Sequence, residues 1–327
     1  MAESLTPTEL KPILESKRAN IYYLEMCRVM QKDGRVLYLT DGEKQHQYWN
    51  IPIANTTVIL LGTGTSITQA AVRMLASAGV LVGFCGGGGT PLFAGTEIEW
   101  MSPQSEYRPT QYVQGWLSFW FDDEKRLLAA KFLQEARCHF LETVWAKDRD
   151  LQAAGFFADD DEIEDALDGY RHSIQRVENV RELLAAEAHF AKRLYRYAAS
   201  HTNMDGFVRD PEADDEANIF LNHGNYLAYG LAASALWVLG IPHGFALMHG
   251  KTRRGALVFD IADLVKDTIV LPWAFICADE GYSSREFRNM LIEKFTEHKA
   301  LSYMYDNIQS QSMRWYHPKI LDGGDAV

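Results

Sequence analysis

The sequence predicts an α+β protein, in which a β-rich, β-sandwich-like domain with one inserted helix precedes an all-α domain. Two observations carry this prediction. Residues 18–93 show short apolar runs between turn signals, whereas apolar residues after position 110 recur at helical spacing. With 327 residues and 47% hydrophobic content, the chain can bury a sizeable core and form two domains. We expect a β-rich domain over 1–100, a linker over 101–109, a helical domain over 110–317 and a loose tail over 318–327.

Strand signals dominate the first domain. Hairpin signals at residues 32–34 and 41–42 predict consecutive antiparallel strands, of which the first includes residues 21–29. Two later apolar runs, 56–61 and 80–84, are continuous, as expected of strands buried on both faces. Residues 66–78 between these runs predict the inserted helix.

Helical periodicity fills the second half of the chain. Residues 217–250 carry no Asp, Glu, Lys or Arg, which raises the question of a membrane span. We interpret this segment as a buried central helix, because Asn222 and Asn225 are polar and Pro242 ends the helix. The predicted helices are 111–147 (one long helix or two), 161–178, 181–200, 215–239, 257–273 and 285–309.

Charge and cysteine usage limit the classes of function. The net charge of −12 opposes indiscriminate coating of nucleic acid, but seven acids lie within 159–168 and six within 205–216. The rest of the chain is close to neutral, so a basic DNA groove elsewhere remains possible. The four cysteines show no metal or disulfide spacing and are expected to be core thiols in a reducing compartment. The N-terminus lacks signal-peptide features, which predicts a cytoplasmic protein.

Candidate metal ligands concentrate between Met248 and Asp267. Asp260, Asp263 and Asp267 are predicted to share one helix face, and His249 lies just upstream as a nitrogen ligand. Cationic groups suited to phosphate oxygens lie between them, at Lys251, Arg253 and Arg254. This combination points to phosphodiester chemistry. The alternative is a set of solvated helix acids whose salt-bridge partners are the three basic residues.

Glu187 has a weaker signal of its own. Periodicity assigns Leu183, Phe190 and Leu194 to the apolar side of its helix, which leaves Glu187 as an ordinary surface or groove residue. The basic residues of the same helix are Lys192, Arg193 and Arg196.

Several short segments together resemble a known family. They are Glu187-Ala188 with Lys192-Arg193-Leu194, Asn222-His223-Gly224-Asn225-Tyr226, His249-Gly250-Lys251 and Asp260-Ile261-Ala262-Asp263-Leu264. In order and approximate spacing the chain resembles the CRISPR-associated adaptation integrases, the "Cas-one" family, and most closely their type I-F (Ypest) branch. The resemblance covers essentially the whole chain. His223 departs from it, because many members carry an aromatic residue there.

The resemblance implies a fold, a site and a partner. It implies a homodimer formed through the N-terminal domain and a catalytic helical domain. It implies Mg²⁺ or Mn²⁺ held by Glu187, His249 and Asp263, with Asp260 in support as a fourth catalytic residue. A fusion of Cas-two with the Cas-three helicase-nuclease is the implied partner.

The implied activity is metal-assisted phosphoryl transfer on double-stranded and branched DNA, which inserts new spacers into a CRISPR array and includes endonuclease activity. Two alternatives remain open from the residues alone: a metal-dependent hydrolase of another phosphate ester, and a scaffold that bridges DNA without catalysis. The residues expected to bind DNA are Lys192, Arg193, Arg196, Lys251, Arg253 and Arg254.

Overall fold

Strands fill the first part of the chain and helices the rest, which confirms the predicted α+β class. The structure, a computed structural model, describes residues 20–41, 46–89, 98–101, 110–250 and 255–316. The strands are β1 Asn20–Leu24, β2 Cys27–Lys32, β3 Arg35–Asp41, β4 His46–Ile51, β5 Thr56–Leu61, β6 Ser66–Ile67, β7 Leu81–Phe84 and β8 Glu99–Met101. The helices are α1 Gln69–Ser77, α2 Thr110–Trp120, α3 Asp123–Trp145, α4 Arg149–Ala153, α5 Asp161–Arg176, α6 Val180–His201, α7 Glu216–Val238, α8 Ala256–Val265, α9 Leu271–Asp279, α10 Ser284–Glu297 and α11 Ala300–Arg314.

The strands form two four-stranded sheets. The first has the order β1-β5-β7-β8, in which β1, β5 and β7 run parallel and β8 antiparallel. The second has the order β4-β3-β2-β6, in which β2, β3 and β4 are antiparallel neighbours. The two predicted hairpins are therefore confirmed, and β5 and β7 are the buried strands that their continuous apolar runs predict.

The first predicted strand is wrong, because residues 21–29 divide between the two sheets. β1 pairs in parallel with β5, whereas β2 pairs with β3. Met26 separates them with a positive φ of 50°, a conformation that reverses the local chain direction. A turn without glycine, proline or asparagine leaves little sequence signal.

The inserted helix begins three residues later than predicted. Ser66 and Ile67 pair with β2 instead, and the Thr68 hydroxyl accepts the N–H of Ala71 at 3.3 Å as the helix cap. Met101, the first residue of the predicted linker, belongs to β8, and linker residues 102–109 lie outside the described ranges. Tail residues 318–327 lie outside them as well.

The long helical patterns are broken by capping residues. The pattern over 111–147 is two helices, because Asp122 accepts the N–H groups of Glu124 and Lys125 and starts α3. The pattern over 285–309 is also two helices, separated where Lys299 adopts a positive φ of 53°. Helix α4, capped by Asp148, was not predicted.

α7 is the buried central helix that the uncharged segment predicts. Its buried residues include Leu227, Leu231 and Leu236, and they lie on all sides of the helix. Within the described ranges, no helix combines the length and the apolar character that a membrane crossing requires.

α8 and α9 are joined by a π-helical turn, Lys266–Val270. Pro272 has no N–H to donate to the carbonyl of Thr268, four residues earlier. The indole Nε1–H of Trp145, on α3, donates to that carbonyl at 2.9 Å instead. The predicted helix over 257–273 therefore continues to Asp279, with an irregular turn that begins at Lys266.

One hydrophobic core joins the first sheet to the helices. Ile21, Val58 and Leu60 of this sheet belong to the same buried cluster as the core residues of α3, α7 and α8. A smaller cluster lies between the two sheets and α1. All four cysteines are buried and free, which confirms their interpretation as core thiols.

Candidate metal centre

The three aspartates of the α8 segment are buried, so the alternative interpretation of Asp260 and Asp263 as solvated helix acids is wrong. Asp260, Asp263 and Asp267 are 1%, 2% and 5% exposed. α8 and the turn after it are packed on nearly all sides by apolar neighbours. Buried carboxylates require hydrogen bonds or cations, so the partners of each aspartate indicate its role.

Asp260 organises the segment that carries His249. Its carboxylate accepts the backbone N–H groups of Leu247, Met248 and His249 at 2.6, 3.2 and 3.1 Å. It also lies 2.7 Å from His249 Nδ1. Four partners occupy both oxygens, so Asp260 holds the imidazole in place and turns Nε2 towards Asp263. This geometry fits the supporting position that the family resemblance implies for Asp260.

Asp263 offers an oxygen atom without a partner. Its Oδ1 accepts the ammonium of Lys266 at 2.6 Å. Its Oδ2 is buried, forms no hydrogen bond and lies 3.9 Å from His249 Nε2. This separation is small enough for one cation to contact both atoms. An unpartnered buried carboxylate oxygen is costly, and a cation at this position would remove that cost.

The groups around His249 and Asp263 favour the charged form of each residue. Burial alone would lower the pKa of His249, but the hydrogen bond to Asp260 and the charge of Asp263 raise it above its ordinary value. Burial alone would raise the pKa of Asp263, but Lys266, His249 and Arg137 lower it. Asp263 is therefore ionised at neutral pH, as a metal ligand must be.

Glu187 is bound to a buried arginine and is not an ordinary surface residue. Its Oε1 accepts Nη1 of Arg137, on α3, at 2.9 Å, and its side chain is 17% exposed. Nε of the same guanidinium donates to Asp267 at 2.6 Å, and Nη2 contacts the same oxygen. Arg137 therefore joins α6 to the turn that follows α8.

The structure brings His249 and Asp263 together, and it links Glu187 through Arg137 to Asp267, four positions after Asp263. The three ligand atoms do not all lie within 4.8 Å of one another. The one group in the described ranges that meets this distance is Asp148, Glu297 and His298, which no sequence pattern predicts. Lys294 lies inside that group, 3.3 Å from Asp148 and 3.0 Å from Glu297. A cation there would have to displace a bound ammonium.

The residues around Asp263 fit a divalent cation in charge and in chemistry. The centre contains four carboxylates, those of Glu187, Asp260, Asp263 and Asp267, and two fixed cations: Arg137, which binds Glu187 and Asp267, and Lys266, which binds Asp263. With His249 neutral, as an imidazole that binds a metal ion must be, two negative charges remain, which one divalent ion balances. Carboxylate oxygens with one imidazole nitrogen suit Mg²⁺ or Mn²⁺.

The predicted DNA-binding residues have different environments. Lys192 and Arg196 are exposed. Arg196 follows Glu187 by nine residues, and since each residue turns the helix by about 100°, it lies on the opposite side of α6 from Glu187. Arg193 is bound to α5, where it donates to the carbonyl and the carboxylate of Asp165 at 3.0 and 3.1 Å. Lys251, Arg253 and Arg254 lie outside the described residues.

Three polar residues of this centre were missed from the sequence. Lys266 follows Asp263 by three positions, a helical ion-pair spacing that could have identified it. Arg137 and Gln134 lie on α3 and are buried, at 2% and 1% exposure. The signal for Arg137 was its position in an apolar stripe, four residues after Leu133 and four before Leu141.

Comparisons with known proteins identify the family. The family model for "CRISPR associated protein Cas1" matches residues 21–290, and the chain belongs to this family. A CRISPR-associated endonuclease Cas1 of Pseudomonas aeruginosa is 53% identical over 95% of this chain and 98% of its own. One of Pectobacterium atrosepticum is 51% identical over 94% of this chain and 97% of its own.

Solved structures agree on the fold. A Cas1 protein from Thermotoga maritima has a TM-score of 0.69 at 16% identity, covering 94% of this chain and 100% of its own. A casposase bound to an integration product also has a TM-score of 0.69, at 15% identity, covering 94% of this chain and 96% of its own. At these identities the likeness is one of fold.

Proposed function

We propose that this protein is a metal-dependent DNA endonuclease and integrase that inserts new spacers into a CRISPR array by phosphoryl transfer. One observation carries the proposal: in a chain of the Cas1 family, an unpartnered, buried oxygen of Asp263 lies 3.9 Å from a histidine nitrogen. The endonuclease names of the relatives from Pseudomonas and Pectobacterium support the nuclease activity. The casposase bound to its integration product supports the strand-transfer activity.

Glu187, His249 and Asp263 are the proposed ligands of Mg²⁺ or Mn²⁺. When bound, the cation polarises a scissile phosphate and stabilises the oxygen charge that develops. Asp260 accepts a hydrogen bond from Nδ1–H of His249, which keeps the proton on Nδ1 and leaves the lone pair of Nε2 available. Lys266 keeps Asp263 ionised and fixes one of its oxygens. His249 is 29% exposed, so the centre opens to the surface on the side of the imidazole.

The nucleophile decides between the two reactions. Water gives cleavage, and a DNA 3′-hydroxyl gives strand transfer. We propose that basic side chains hold DNA through its phosphates: Lys192 and Arg196, which are exposed, together with Lys251, Arg253 and Arg254. Arg193 is the weakest member of the predicted set, because its guanidinium already binds Asp165.

The proposed assembly follows the family. We propose a homodimer through the N-terminal domain, the domain division at residues 100–110, and a type I-F system with a Cas2–Cas3 fusion as partner. The proposed location is the cytoplasm. The high identity to the relatives from Pseudomonas and Pectobacterium supports the assignment to this branch.

The test is an integration assay with a matched pair of variants. The purified protein, with its Cas2–Cas3 partner, is incubated with a labelled duplex that carries 3′-hydroxyl ends and with CRISPR repeat DNA. We expect joined products with Mg²⁺ or Mn²⁺ and none after chelation with EDTA. Glu187→Gln keeps the side-chain volume but removes the charge, so joining should fall at least about 100-fold if the ligand is lost.

Glu293→Gln is the control, because Glu293 is an exposed glutamate on α10. It should join DNA at the wild-type rate. Joining that persists in EDTA would contradict the metal dependence, and joining at the wild-type rate by Glu187→Gln would remove Glu187 from the proposed ligands.

A further inference from the structure

Arg137 connects three segments of the candidate centre. Its guanidinium binds Glu187 on α6, Asp267 after α8 and, through Nη1 at 3.1 Å, the side-chain oxygen of Gln134 on its own helix. It lies over the ring of Phe190, 5.8 Å from the ring centroid. A guanidinium presents its donors in a rigid planar fork, so contacts in several directions fix its orientation.

We propose that Arg137 is a positioning residue, which holds the Glu187 carboxylate at the orientation needed to complete the metal site. This inference rests on the proposed function, because it takes Glu187 as a ligand. It adds a residue from α3, a helix to which no predicted ligand belongs.

Arg137 connects the segments that carry the proposed ligands. Glu187 and the pair of His249 and Asp263 lie on different segments, and Glu187 is separated from Asp263 by more than seventy positions in the chain. Arg137 binds Glu187 on one side and Asp267 on the other, and Asp267 lies one helical turn after Asp263. The guanidinium therefore sets the distance between the two ligand-bearing segments.

Arg137 binds one of the two carboxylate oxygens of Glu187. The guanidinium binds Oε1, and a carboxylate held by one oxygen retains the lone pairs of the other. This is the arrangement in which a neighbouring donor orients a metal-binding carboxylate without replacing the metal.

Arg137 also supplies a positive charge between two carboxylates. A guanidinium stays protonated in proteins, and that of Arg137 pairs with both Glu187 and Asp267. The residue is therefore a permanent cation inside the protein. It keeps Glu187 and Asp267 from repelling each other before a metal ion is present.

Gln134 extends the same arrangement to His249. Its side-chain oxygen accepts both Arg137 and the hydroxyl of Tyr170, and its nitrogen lies 3.0 Å from the sulfur of Met248. Met248 directly precedes His249. One face of α3 thus contacts the segment of each proposed ligand.

Arg137→Lys tests the proposal, because it keeps the charge and loses the planar fork. One ammonium group cannot reproduce the contacts to Glu187, Asp267 and Gln134 together. We expect the dissociation constant for Mn²⁺, measured by electron paramagnetic resonance or calorimetry, to rise about 10- to 100-fold. DNA joining should fall at low Mn²⁺ and recover at saturating Mn²⁺, because the ligands themselves are intact.

Arg171→Lys is the matched control. Arg171 also joins α3 to another helix through an ion pair, with both oxygens of Glu142 at 2.6 Å, but it contacts no proposed ligand. It should leave the Mn²⁺ affinity unchanged. Asp267→Asn is the second variant in case Arg137→Lys fails to fold. It removes the opposite anchor of the guanidinium and should also weaken Mn²⁺ binding.

A double-mutant cycle separates positioning from general structural support. In a Glu187→Gln background, Arg137→Lys should weaken Mn²⁺ binding by less than about twofold, because the residue it positions is already lost. A folded Arg137→Lys protein with wild-type Mn²⁺ affinity would overturn the inference, and so would a full additional loss in the Glu187→Gln background. These results concern metal affinity. A wild type that binds Mn²⁺ but joins no DNA would overturn the proposed function alone.

Discussion

At the scale of single residues, the candidate centre depends on how each buried carboxylate is satisfied. Asp260 binds three backbone N–H groups and an imidazole, so both of its oxygens are occupied and it positions the segment that carries His249. Asp263 retains a free oxygen. Two aspartates three positions apart on one helix thus have different roles, because one faces a backbone turn and the other faces the imidazole.

We predict that Asp260→Asn destabilises the protein and weakens Mn²⁺ binding. The amide has one acceptor oxygen and presents an NH₂ group to a site that contains only donors, so buried donors lose their partners. Each unpaired donor costs about 1–3 kcal/mol of unfolding free energy. Denaturant unfolding and Mn²⁺ titration measure the two effects. Asp306→Asn, at an exposed site on α11, is the control; equal values for both variants would be evidence against the role of Asp260.

At the scale of elements, short polar networks fix where helices begin and end. Asp148 caps α4 and also binds the end of α10, through Lys294 Nζ at 3.3 Å and His298 Nε2 at 2.7 Å. Although burial alone would raise its pKa, His298, the N–H of Leu151 and Lys294 lower the pKa of Asp148 to about 2. The cap therefore joins α4 to α10 while Asp148 is charged.

This shift predicts an acid-dependent stability. The pKa of Asp148 is lower in the folded than in the unfolded chain, so the stabilisation that its charge provides is complete above about pH 5 and is lost as the pH falls from there to about 2. The contribution is about 2 kcal/mol at neutral pH. Asp148→Asn should lower the unfolding free energy at pH 7 by about this amount and differ little from wild type near pH 2.

Unfolding of both proteins in urea between pH 7 and pH 2 measures this difference. Asp159→Asn, which removes an exposed acid before α5, should show no such pH-dependent gap. If the difference in unfolding free energy between wild type and Asp148→Asn stayed constant down to pH 2, the charge of Asp148 would not stabilise the fold.

At the scale of the whole molecule, the β-rich part and the helical part share a core. Besides the common apolar cluster, Arg288 on α10 binds Glu25, between β1 and β2, at 3.0 Å. The guanidinium also lies over the ring of Tyr23, with its central carbon 4.4 Å from the ring centroid. The hydroxyl of Tyr23 in turn donates to Glu25. The two predicted domains are therefore expected to unfold together.

Arg288→Gln tests this coupling. Loss of the hydrogen bond to a charged partner should lower the unfolding free energy by about 1.5–3 kcal/mol. Hydrogen exchange should accelerate equally for the amides of β5 and of α7, because one cooperative unit contains both. Arg285→Gln, at an exposed position on the same helix, serves as the control. Acceleration confined to α7 and its neighbours would mean that the two parts unfold separately.

The sequence by itself determined the features that depend on local patterns. Periodicity separated strands from helices, placed α5, α6 and α7 to within a few residues, and identified α7 as buried. It also selected His249, Asp260 and Asp263, because these lie within fifteen positions of one another. The two aspartates share one predicted helix, and His249 lies in the segment just before it. Family resemblance added Glu187, for which periodicity alone gave no functional signal.

Only the tertiary structure decided how the buried charges are paired. Arg137 binds Glu187 across 50 positions and Asp267 across 130, and Arg288 binds Glu25 across 263. The sheet to which β1 belongs was decided in the same way, by pairing with β5. A periodic pattern shows which face of a helix or strand is apolar. It does not show which residue of another element a charged side chain will contact. The energy of a buried ion pair depends on that partner, because an unpaired charge in the interior is too costly to keep.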